Sequence, residues 1–508
     1  MYNSVCSAAI RGMEVVPIRI EADVSDGLPH FTMVGDLTAQ VREAEDRVKT
    51  ALKNIEIALP PKRITINLAP ADLPKSGCRF DLPIALVILA AVGLLPEHAL
   101  EGVMAVGELG LDGSISRVTG VLPIAMRARE EKIRLLLVPA ENEAEARILT
   151  GLAAVGVSTL PEAIALLRSG ELPEDSGQHT PLSGLNEYRE DFSDIRGQEA
   201  AKRAAMIAVS GFHNLLLIGP PGSGKTMLAR RIPSILPELT AEESLEISQI
   251  YSIAGLLPPD RPFLGTRPFR SPHHTVSPQA LAGGGKIPSP GEITLAHRGI
   301  LFLDEMPEFE RRSLEILRQP LEDREITLSR AAGTFRFPAH FLLLAAMNPC
   351  PCGYYPDMNR CTCQTGDIAR YIGKISKPLL DRIDLCVESP EVSYEDLTGK
   401  EASPVTSAAI RARVEAVHAI EKERFAGTSI RFNSEIPASA VSSYCPMDSQ
   451  AELLLARAFS AMKLSARGYH RIIRVARTIA DLDGSDRIRA PHISEAICYR
   501  TIDRKYWS

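Results

Sequence analysis

The sequence is poor in cysteine and has no long apolar run. Nine cysteines are spread over 508 residues, too sparse for a disulfide scaffold, and a reducing compartment keeps such residues as thiols. The most apolar stretch, Leu82 to Leu95, covers 14 residues and contains Pro83. That is short of the roughly 20 needed to cross a bilayer and reads as a buried helix. The first residues, MYNSVCSAAIRG, lack a basic segment followed by an apolar one, so nothing argues for secretion and a cytoplasmic protein with no membrane partner is expected. A uniform basic field is missing too. The 57 Lys and Arg against 63 Asp and Glu leave a formal charge of −6, so any polyanion site must be a local patch.

What is present is the balance of an ordinary globular protein, 45% hydrophobic and 24% charged, with length for about three domains at roughly 150 residues each. Residues 1–168 alternate β-rich runs with helical stretches, an α/β or α+β pattern. Residues 169–190, rich in Gly, Pro, Ser and acidic residues and without apolar periodicity, read as a linker. From 191 to 390 strands that carry motifs alternate with helices, the signature of a parallel sheet covered on both faces. From 391 to 508 the strands stop and helical segments follow one another.

The apolar run Leu215 to Ile218 leads into Gly219, Pro220, Pro221, Gly222, Ser223, Gly224, Lys225 and Thr226, and then a helix. This is a complete GxxxxGK[ST] loop in its strand-to-helix setting. Its glycines let backbone amides turn around a phosphate at a helix N-terminus, Lys225 reaches the β- and γ-phosphates, and Thr226 ligates Mg²⁺. A second apolar run from Gly299 ends in Asp304 and Glu305. Asp304 is expected to hold Mg²⁺ and Glu305 to act as general base toward water. A third, Phe341 to Ala346, precedes Asn348, placed to orient the lytic water. Arg382, near the end of a helix in PLLDRID, is positioned to enter a neighbouring subunit's site.

DIRGQ at 194–198, GPPGSGKT, GILFLDE, NPCPCG and PLLDRIDL occur in that order. Together they resemble the AAA+ ATPases of the magnesium-chelatase type, and PHHTVSPQALAGGGKIPSPGEITLAHRGILFLDE is similar to their YifB/ComM branch. The resemblance implies a multidomain α/β protein with a Lon-protease-like N-terminal domain, an AAA+ core and a C-terminal helical lid. It also implies a hexameric ring ATPase acting on DNA, with branch migration in natural transformation as its task. By position Asn348 is similar to sensor 1, Arg382 to a trans-acting arginine finger and Arg467 to sensor 2. Lys377 stands where the family pattern has glycine. A metal-insertion motor of the magnesium-chelatase kind is the alternative. Against the Lon pattern, Asp81 occupies the serine position and Leu122 the lysine position, so no protease dyad is expected. Lys75, Ser76 and Cys78 are the nearest substitutes.

Cys350, Cys352, Cys361 and Cys363 form two CxC pairs separated by eight residues. Four thiolates this close can close a structural Zn²⁺ site, although two intervening residues are the commoner spacing; four reduced thiols in a surface loop are the alternative. For DNA, Arg270, His273, His274 and Lys286 lie on a glycine-containing segment outside the phosphate loop. Arg330 and Arg336 lie on a hairpin expected over 325–337. Intersubunit packing is the competing role for both. Arg471 and Arg474 share a stripe with Arg467, expected to face nucleotide or solvent.

Overall fold

The computed structural model describes residues 2–170, 190–259, 261–285, 288–330, 333–392, 394 and 405–507. The expected linker falls almost wholly on residues outside this set, as does Lys286.

The N-terminal region is built on a seven-stranded mixed sheet, ordered His30–Val34, Arg63–Ala69, Glu14–Ser25, Tyr2–Arg11, Val103–Ala105, Leu135–Pro139, Ala154–Val157. Helix Asp81–Ala91 has every residue buried, as its unbroken apolar sequence requires. It packs on the two long antiparallel strands. The position expected to lack a nucleophile is occupied by an ion pair. Asp81 is fully buried and takes two bonds from Arg47, at 2.7 and 2.9 Å. Leu122 is buried, and Lys75 donates to the carbonyl of Pro70, so that lysine is committed elsewhere than to Ser76.

The second sheet has five strands, all parallel, ordered Phe269–Arg270, Ile300–Leu303, Leu342–Met347, Leu215–Ile218, Leu385–Glu388. The three central strands are buried along their whole length, as near-continuous Leu, Ile and Ala dictate for a sheet covered on both faces. Parallel strands give the sheet two chemically different edges. Every strand leaves toward one edge and enters from the other, and four residues at about 3.3 Å each put them on the order of 13 Å apart.

Helices Ser407–Arg424, Ser449–Ala461, Ala466–Leu482 and Ala490–Trp507 follow. Their apolar faces join the core beneath the second sheet, so Ile410, Val414, Ile472 and Ile479 share one cluster with Leu215 and Leu385. Ser465 caps the third of these helices by accepting from the Gly468 amide at 3.1 Å, which places Arg467 in its first turn.

The two sheets are docked. Thr240 and Glu243 form a capping box that starts helix Ala241–Ile253. Near its far end Ser252 bonds to Glu145 and accepts from the Gly120 amide at 2.9 Å. The hairpin Glu325–Arg330 with Gly333–Pro338 turns Phe335 and Phe337 inward, and the Arg11 guanidinium lies 5.4 Å over the Phe335 ring.

Candidate nucleotide site

Three strands of the parallel sheet end at one point. Leu215–Ile218 runs into the phosphate loop, Ile300–Leu303 into Asp304 and Glu305, and Leu342–Met347, lying between them, into Asn348. Gly222 and Gly224 take φ of 77° and 81°, the left-handed conformation that curls amides inward at little cost to glycine. Lys225 lies nearly buried with its ammonium 2.8 Å from the carbonyls of Gly219 and Pro220 and 3.2 Å from Asn348 Oδ1. Burial pulls that ammonium below the usual lysine range, and the carboxylates of Asp304 and Glu305 oppose the shift. The Thr226 hydroxyl donates to Asp304 Oδ2 at 2.8 Å. A hydroxyl and a carboxylate oxygen side by side are hard donors of the kind Mg²⁺ takes beside a phosphate.

Glu305 stands apart from this bonded group. Its φ of 50° is left-handed, its side chain is 58% exposed, and its Oε2 is 3.8 Å from His274 Nδ1. His274, expected on a DNA-contacting segment outside the phosphate loop, lies against the carboxylate expected to act as general base. The His273 ring lies beside that of His274, tilted by 35° with centroids 4.0 Å apart, and is exposed.

Arg270, expected to contact DNA, is engaged within the chain: its guanidinium makes two 2.7 Å bonds to Glu292 and is 30% exposed. Arg330 and Arg336 remain exposed on the hairpin; Arg336 lies on the face opposite Phe335 and Phe337, while Arg330, paired with Gly333 at the tip, lies on their side.

Arg382 and Arg467 lie at the other edge of the sheet. Arg382 precedes strand Leu385–Glu388, where Asn214 donates to its carbonyl at 2.9 Å, and its guanidinium pairs with Glu322. Arg467 pairs with the same carboxylate at 3.0 Å. The two therefore share one anchor on a cavity of about 410 Å³ that includes His470, Arg471 and Arg474 and none of the phosphate-loop residues. With the length of the strands between them and Lys225, neither arginine reaches this chain's own phosphate loop. Arg471 is not on a solvated face: it bonds Asp384 at 2.8 Å and is 11% exposed.

The four cysteines converge immediately after Asn348. Their sulfurs all lie within 4.8 Å of one another, with separations of 3.3, 3.5 and 3.8 Å among Cys350, Cys352 and Cys361. Among the described residues no other group of His, Cys, Asp or Glu forms such a cluster.

Two contributors could not be read from the sequence. Gln198 takes a left-handed φ of 57°, donates to the Ser223 carbonyl and accepts from Ser389 at 3.2 Å, so it braces the back of the phosphate loop. Glu322 carries no signal beyond being acidic, yet it gathers both arginines of the far edge.

Comparison with known proteins matches this architecture along the chain. The family description "Magnesium chelatase, subunit ChlI" covers residues 191–397. "Subunit ChlI of Mg-chelatase" covers 20–142 and "Magnesium chelatase, subunit ChlI C-terminal" covers 404–500. The competence protein ComM of Haemophilus influenzae is 43% identical over 505 residues, 98% of this chain and 97% of that one. The YifB protein of Escherichia coli is 42% identical over 497 residues, 98% and 96%. The chain belongs to the YifB/ComM family of magnesium-chelatase-like proteins. The magnesium-chelatase 38 kDa subunit of Rhodobacter capsulatus is a more distant relative, 28% identical over 176 residues, 31% of this chain and 50% of that one. No helix among the described residues is long and apolar enough to cross a membrane.

Proposed function

We propose that this YifB/ComM-family chain is an AAA+ ATPase that works as a homo-oligomeric ring, a hexamer by family resemblance, and moves DNA through branch migration during natural transformation and recombination. The observation that carries the ATPase reading is the convergence of Lys225, Thr226, Asp304, Glu305 and Asn348 at one edge of a parallel sheet. Lys225 and the loop amides bind the phosphates of ATP. Thr226 and Asp304 hold Mg²⁺, which neutralises charge on the phosphates. Glu305 accepts the proton of the attacking water, and Asn348 orients that water. Arg382 and Arg467 complete the site of the next subunit, because Glu322 presents both at the edge opposite the chain's own nucleotide.

In this reading residues 191–390 form the motor, 391–508 its helical lid and 1–168 a Lon-like scaffold that has lost proteolysis; the buried Arg47–Asp81 pair supports that loss. The working compartment is the cytoplasm, and Cys350, Cys352, Cys361 and Cys363 hold Zn²⁺. The competence relative, matched along 98% of this chain, supports DNA as the partner. Arg330, Arg336 and His273, exposed on two adjoining elements, supply the contacts. Lys286 joins them from the same segment as His273.

Metal insertion like that of magnesium chelatase is the second reading, favoured by the magnesium-chelatase family descriptions that match the chain. ATP turnover with and without single-stranded, duplex and branched DNA separates the two. Stimulation and unwinding by branched DNA are expected, and turnover indifferent to every DNA would overturn the DNA reading.

A further inference from the structure

The four-cysteine loop does more than fold upon itself. A tetrahedral Zn–S₄ centre with bonds of about 2.3 Å has sulfurs roughly 3.8 Å apart, and the separations of 3.3 to 3.8 Å found here need little adjustment to match. Two backbone amides already point at sulfur, Cys352 N toward Cys363 Sγ and Tyr355 N toward Cys350 Sγ, each at 3.4 Å. Between Asn348 and helix Thr365–Ile372 the chain has turns and no helix or strand, so its shape depends on what the four side chains grip.

This loop touches the nucleotide site in two places. Its first cysteine is two residues beyond Asn348, whose Oδ1 meets the Lys225 ammonium at 3.2 Å. Gly353, between the two CxC pairs, lies directly on the phosphate loop. A Cβ on it would come 2.3 Å from Pro221 Cδ, and its φ of 87° is left-handed. Behind it the Tyr355 ring rests edge-on against Tyr506 with centroids 6.2 Å apart, and Tyr506 donates to Glu388 at 2.7 Å. Glu388 precedes Ser389, whose hydroxyl donates to the Ser223 carbonyl at 3.1 Å. The loop is thus wedged between the tip of the phosphate loop and the C-terminal helix.

We propose that a zinc ion held by Cys350, Cys352, Cys361 and Cys363 sets the conformation of the phosphate loop, so that nucleotide affinity depends on the metal through Gly353 against Pro221 and Asn348 against Lys225. This rests on the reading of the four cysteines as a metal centre. The metal is structural, since all four thiolates close it and leave no open position. Its effect is to keep the wedge in place. Without it Asn348 and Gly353 are free to withdraw, and Lys225 falls back on the carbonyls of Gly219 and Pro220.

The test uses the full-length protein purified without chelator and a fluorescent ADP analogue as probe. About one zinc per chain is expected by elemental analysis. Stripping it with an organomercurial and a chelator, followed by thiol reduction, should weaken the analogue about tenfold, equivalent to roughly 1.4 kcal/mol, and added Zn²⁺ should restore it. Gly353→Ala keeps all four thiolates and should retain zinc while binding the analogue more weakly, which separates the wedge from any general unfolding. Protein without zinc that takes none up would overturn the metal centre itself. Zinc present, with affinity unchanged on stripping and in Gly353→Ala, would overturn the coupling and leave the centre standing.

Discussion

The two edges of the parallel sheet differ in how their charged groups are satisfied. At the edge where the strands end, Lys225 is held by neutral oxygens and pulled below its usual pKa by burial, and Glu305 is largely exposed. These groups are ready for a ligand. At the other edge every arginine described is committed or sheltered. Arg382 and Arg467 share the single carboxylate of Glu322, and Arg471 pairs with Asp384. Two arginines that share one half-exposed acid can exchange it for a phosphate when another subunit brings one, so the second edge reads as a prepared donor and the first as a prepared acceptor. The N-terminal domain teaches the contrast from a third side. Asp81 and Arg47 satisfy each other inside the protein, and nothing is left over to react.

The strongest blow to this comparison is Glu305→Gln. It removes the base at the acceptor edge while leaving Asp304 and Thr226, so turnover should fall by at least 10²-fold, the usual contribution of a positioned general base, with nucleotide binding retained. Steady-state phosphate release beside a binding titration checks both halves.

A smaller effect is expected for His274→Ala. Because His274 lies 3.8 Å from Glu305, its removal should change turnover several-fold in the absence of any DNA, measured as basal phosphate release. An unchanged basal rate would return His274 to a role in binding alone.

The mildest test concerns the seam that joins the donor edge to the helices. His213, His340 and His418 are buried there, and burial holds each imidazole down to about 4. Their folded pKa values lie below the unfolded value near 6.5, so the unfolded chain takes up protons first. Their stabilisation is complete above about pH 6.5 and is lost as pH falls toward 4, by up to about 1.4 kcal/mol per histidine for each pH unit. Melting temperature followed from pH 7.5 to 4.5 should decline most steeply in that window, and replacing His418 with Gln should flatten the slope.

Legibility followed distance along the chain. The phosphate loop, the Asp304–Glu305 pair and the cysteine cluster consist of residues a few positions apart, so spacing alone carried their chemistry. The strand order, by contrast, is a property of the fold: it sets the strand that leads to Asn348 between the lysine and carboxylate strands. Partners far apart in sequence could not be read. Arg270 and Glu292 are separated by 22 residues, and nothing local says that they pair. Arg467 and Glu322 are 145 residues apart, and only the topology reveals that a helix start in the third domain meets the strand entrances rather than the strand ends. The approach of His274 to Glu305 at 3.8 Å was equally illegible, since the two are 31 residues apart.

The central claim, that the two edges form one site only between neighbouring subunits, is tested most directly by mixing two inactive variants. Arg382→Ala keeps an intact acceptor edge without its donor, and Glu305→Gln keeps the donor with a dead acceptor. In a ring assembled from equal amounts, roughly a quarter of interfaces pair an intact acceptor with an intact donor. The account predicts that ATP turnover, negligible in either variant alone, reappears on mixing once subunit exchange has been demonstrated by labelled protein. Turnover that stays negligible in rings shown to be mixed would contradict it.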